Sequence, residues 1–91
     1  MKIQVTQADI ERGIKNRCDF CPVAIAISRH LPTGLEITVF SEAMLFEGRF
    51  GDGPSTAIDT DQTVVDFIES FDNGKPVAPF SFNLSAEVFM V

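Results

Sequence analysis

The apolar positions of this chain change period several times, and each change marks an element. Residues 2–5 alternate, with Ile3 and Val5 against Lys2 and Gln4, which predicts a short first strand. Thr6-Gln7-Ala8-Asp9 has the Thr-x-x-acid form of a capping box, with Asp in place of the favoured Glu. A short helix follows and ends near Gly13, a residue that tolerates a left-handed cap. Pro22 suits the first position of a second helix, because its missing N–H has no partner there. Residues 23–27 are apolar on nearly all sides, so that helix is buried at its start. Arg29 and His30 fall in its last turn, where cations favour the dipole, and Leu31-Pro32-Thr33-Gly34 stops it.

Residues 35–40 set Leu35, Ile37 and Val39 against Glu36, Thr38 and Phe40, a strand with one buried face. Ser41-Glu42 turns the chain into a second strand over 43–47. Gly48, Gly51, Gly53 and Pro54 make 48–55 a loop. A third helix spans 62–72, with Val64, Val65, Phe67, Ile68 and Phe71 on one face and Asn73-Gly74 as its stop. Phe80, Phe82 and Leu84 then alternate with polar residues in a last strand, which the apolar tail 87–91 extends. The order β-α-α-β-β-α-β predicts one α+β domain over 1–91: a small antiparallel or mixed sheet with helices packed on one face. The other sheet face needs a role. Phe40 and Phe46 are placed there as an exposed patch for a partner or a dimer contact.

Composition sharpens this picture in one respect. With 91 residues, 45% hydrophobic and 22% charged, the chain fits one ordinary globular domain. Its nine Phe stand without any Trp or Tyr, so every aromatic ring lacks a polar handle. Phe67, Phe71, Phe80 and Phe82 fall at core positions. Phe20, Phe40, Phe46, Phe50 and Phe89 fit the core pattern less well and mark where a partner is to be sought.

Charge is asymmetric. Residues 1–30 carry five cations against three acids, and residues 31–91 carry two cations against ten acids. The net charge of −6 argues against DNA, RNA or an anionic membrane as partner and suits a protein with a basic surface. Asp61, Asp66 and Glu69, on or beside the third helix, are the candidate contacts. Asp59 or Asp61 caps that helix, and the remaining acids line its solvent face. Asp59-Thr60-Asp61 opens like a calcium loop, but Val64 stands where the loop needs Gly. The N-terminus has no apolar stretch of signal-peptide length, and the run 23–27 is too short to span a bilayer, so the expected compartment is cytoplasmic.

Cys18-Asp19-Phe20-Cys21-Pro22 is the sharpest local motif, and three readings stay open. The first is a redox dithiol whose thiolate is stabilised near a helix start and Lys15 or Arg17. The second is a metal site of four thiolates, two from each chain of a homodimer, because His30 lies too far along the helix to complete a site within one chain. The third is packing, with Cys21 a small buried cap. Arg12, Lys15 and Arg17, together with Cys18 and Cys21, form a candidate corner for a small anionic ligand. No P-loop, dinucleotide fingerprint or nucleophilic triad is present, and the single His pairs with nothing by motif. No cofactor or resident metal is expected, and no catalytic residue is assigned.

Cys18-x-x-Cys21-Pro22-Val23-Ala24-Ile25-Ala26 and Val65-x-Phe67-Ile68-x-x-Phe71-Asp72-x-Gly74-x-x-Val77-x-Pro79-Phe80-x-Phe82 resemble segments of small uncharacterised proteins of bacteria and their phages. The resemblance spans less than a third of the chain and brings no catalytic motif. It implies an accessory protein, phage-encoded and acting in the host cytoplasm, that binds and blocks a host component. The expectation is therefore a small acidic, non-enzymatic binding module. Its alternative is a thiol-redox or dimeric metal-site protein using Cys18 and Cys21.

Overall fold

A computed structural model describes residues 2–17, 19–31, 35–40, 42–48 and 56–84. The fold is α+β, with the expected elements in the expected order and one further strand: β1 (Lys2–Val5), α1 (Gln7–Arg12), α2 (Pro22–Ser28), β2 (Leu35–Val39), β3 (Ala43–Gly48), β4 (Thr56–Asp59), α3 (Gln62–Asp72) and β5 (Phe80–Asn83). Among the described residues the strands form two antiparallel sheets. β1 pairs with β5, and β2, β3 and β4 form a meander in that order. The first sheet joins distant parts of the chain, while the second is built by successive reversals.

Helix α2 holds the two sheets together, packing against α1, β1 and β2. Five of its seven residues, Pro22, Val23, Ala24, Ala26 and Ile27, are buried, as an apolar run without a polar face requires. Helix α3 contributes a one-sided stripe of Val64, Phe67, Ile68 and Phe71. The rings of Phe67 and Phe80 lie 4.6 Å apart, and Phe80 also stacks near Phe82. The four Phe assigned to core positions thus form one aromatic cluster against the inner positions of the first sheet, where Ile3 faces Phe82 and Val5 faces Phe80.

Three expectations are corrected here. Phe46 is not part of an exposed patch. It is 2% exposed, because the β2–β3 register sets it opposite Ile37 on the same inner face as Val39 and Met44. Gly13 does end α1, but with φ −63°, not in a left-handed turn. Its role is steric, since a Cβ there would lie 2.5 Å from Cδ of Pro22. Finally, α2 stops at Ser28. Arg29 turns back onto α1, where its guanidinium grips both carboxylate oxygens of Asp9 and donates to the Gln4 carbonyl at 3.0 Å.

Candidate functional site

Three elements enclose a groove of about 650 Å³. The connection between α1 and α2 supplies Asn16, Arg17 and Cys21. The end of β2 and the following turn supply Val39, Phe40 and Glu42. The C-terminal half of α3 supplies Ile68, Glu69, Asp72 and Asn73.

Local chemistry fixes each wall. Asn16 takes φ 62°, a left-handed conformation that Asn tolerates, and its N–H donates to Asp72 Oδ1 at 3.0 Å. That bond ties the α1–α2 connection to the end of α3 across 56 residues of sequence. On the opposite wall, Phe40 N–H donates to the Ala43 carbonyl at 2.8 Å, and the Thr60 hydroxyl donates to the Phe40 carbonyl at 2.9 Å. The backbone of Phe40 is therefore held at both polar groups while the residue remains 45% exposed. Thr60 immediately precedes Asp61, which caps α3 by accepting from Thr63 N–H. The turn and the helix start are thereby joined.

Val39 and Ile68 are buried and form the apolar side of the groove, which the exposed Phe40 also lines. Its polar side is acidic. Glu42 and Glu69 have no ion-pair partner among the described residues. Arg17 is the cation in the groove, and its charge is engaged by Asp19 at 3.1 Å. Its guanidinium also lies 5.5 Å from the centre of the exposed Phe20 ring. Hydrogen bonding to Arg17 holds the Asp19 carboxyl below the usual carboxylate range.

The structure sorts the residues singled out in the sequence. Arg17, Cys21, Phe40 and Glu69 meet at this groove. Asp66 stands on the exposed side of α3 and accepts from the Gln62 side chain, while Asp61 is spent on the cap. Arg12 lines a different cleft, and Lys15 extends towards Gly74. The anion corner of Arg12, Lys15 and Arg17 is thus not drawn together, and the start of α2 is already capped from within. Cys21 is 3% exposed, and its Sγ accepts from Ala24 N–H at 3.4 Å. Cys18 lies outside the described residues, as do Phe50 and Phe89. Among the described residues no group of three or more His, Cys, Asp or Glu is placed to hold a metal ion. No described helix is long and apolar enough to cross a membrane.

Glu42, Ile68 and Asn16 belong to the groove and were not singled out as a site in the sequence, whereas Asp72 was one of the acids assigned to the solvent face of the third helix. Glu42 was read only as part of the turn between two strands. The Asn16–Asp72 bond is a tertiary contact with no local trace. Comparison with protein-family models, with curated proteins and with solved structures finds no match.

Proposed function

We propose that this chain is a non-enzymatic binding module whose groove takes an apolar side chain of a partner protein flanked by Lys or Arg. The observation that carries this reading is the exposed Phe40, fixed by its backbone in the lining of a groove with an apolar side and Glu42 and Glu69 without ion-pair partners among the described residues. A large aromatic already immobilised at its backbone loses little entropy on contact, and aromatic and Arg side chains are favoured at the centres of interfaces. Glu42 and Glu69 set the sign of the partner's surrounding charge. A blocking protein needs no more than this, because occupying a partner's surface requires no chemistry.

Affinity capture from the producing cell, followed by binding measurements on the purified captured protein, tests the reading. Phe40→Asp and Glu69→Lys are each expected to weaken binding at least about tenfold, a loss of roughly 1.4 kcal/mol. Asp59→Lys, on β4, is expected to leave it within about twofold. Rising salt is expected to weaken the wild-type complex. Absence of any specific partner, or a partner that binds all three variants alike, would contradict it.

A further inference from the structure

On a chain of net charge −6 carrying seven Lys and Arg, three of those cations and the sole His line one cleft. Lys2, Arg12, Arg29 and His30 surround about 540 Å³ at the end of β1 and between α1 and α2. Asp9 is the acid in that lining, and it is already committed to Arg29 and to the Thr6 backbone N–H. Neither Lys2 nor Arg12 has an ion-pair partner among the described residues.

Arg29 is the organised member of this set. Three of its guanidinium N–H groups are spent, two on Asp9 and one on the Gln4 carbonyl. A guanidinium has five. The remaining two, on Nε and Nη1, point from opposite edges of a fixed plane on a side chain that is nearly half exposed. A pre-oriented Arg beside two unpaired cations is an arrangement that recognises an oxyanion, because a fixed N–H directs one hydrogen bond and the added charges neutralise it.

We infer that this cleft is a site for a small multivalent oxyanion of the phosphate class. Small size follows from the rest of the surface. The cationic patch is local and the molecule as a whole is acidic, so a long polyanion would be repelled beyond the cleft while a compact dianion feels mainly the nearest charges. The site lies apart from the groove proposed for the protein partner and does not depend on it. Asp9 is a positioning residue here, since it acts only through Arg29.

Calorimetric titration of the full chain with inorganic pyrophosphate at low salt tests the inference. Saturable binding at one site is expected. Lys2→Glu and Arg12→Glu are each expected to weaken it at least about tenfold, as loss of a charge-assisted contact does. Both side chains are exposed, so these variants keep the fold, as a circular dichroism melt checks. Lys15→Glu makes the same change of charge elsewhere and is expected to leave the affinity within about twofold. A single-stranded oligonucleotide is expected to bind more weakly than pyrophosphate. Absence of saturable heat, an equal loss from Lys15→Glu, or tighter binding of the oligonucleotide would each overturn the inference.

Discussion

A methyl group on residue 13 would lie 2.5 Å from the Pro22 ring, closer than carbon atoms approach without displacement. Gly13 therefore sets how near the end of α1 comes to the start of α2. Gly13→Ala is expected to lower stability by about 1–3 kcal/mol, even though Ala restricts the unfolded chain more than Gly does. Urea unfolding checks this through a lower midpoint at unchanged slope. The residue type marked a helix end in the sequence, but the reason for it lay in a contact nine positions away. Arg29 gives the same lesson. Its position at the end of α2 was legible, whereas its partner Asp9 was legible only as a capping residue.

The Asp9–Arg29 pair also carries a pH signature. Burial by itself would raise the Asp9 carboxyl, but hydrogen bonds from Arg29 and Thr6 and the charge of Arg29 outweigh it and leave it below its ordinary value. The folded state thus favours the carboxylate. The resulting stability is fully present above the unfolded carboxylate range, about pH 4, and is lost as pH falls through the lower folded value. Arg29→Ala is expected to cost about 2 kcal/mol at neutral pH, less than for a fully buried pair because Arg29 is half in water. The gap between wild type and Asp9→Asn is expected to close on acidification. A gap that widens in acid would contradict the assignment.

Among elements, α3 was the most legible, because its stripe repeats at helical spacing and its start and stop are marked by Asp61 and Asn73-Gly74. Phe67→Ala removes the ring that contacts both Phe71 and Phe80 and is expected to cost about 3–5 kcal/mol in a denaturation experiment. Strand β3 was legible as a strand but not in its facing. Ala43, Met44, Leu45 and Phe46 are apolar on both sides, so alternation could not decide which side is inward, and only pairing with Ile37 does. Strand β4 has four residues and ends in Asp59, too little periodicity to declare itself. It exists because β3 offers it an edge. The groove inherits this limit, since its walls come from three elements whose proximity no local pattern records.

At the scale of the whole molecule, two recesses of opposite charge stand apart among the described residues. Glu42, Glu69 and the exposed Phe40 mark one groove, and Lys2, Arg12 and Arg29 mark the other cleft. The charge asymmetry between the first thirty residues and the remainder was visible in the sequence. Its consequence in space was not, because Arg12 and Arg17 line different recesses and Lys2 joins Arg29 only through folding. Opposite salt-sensitive ligands are therefore expected at the two places, and loss of one is expected to leave the other intact.

Hydrogen exchange of the wild-type chain, free and bound to its captured protein partner, addresses the groove directly. Slowed exchange is expected in peptides covering residues 37–40 and 66–73, with residues 2–5 and 7–12 unchanged. Protection confined to residues 2–12, or none at the end of β2 and the C-terminal half of α3, would contradict the assignment of that groove as the partner site.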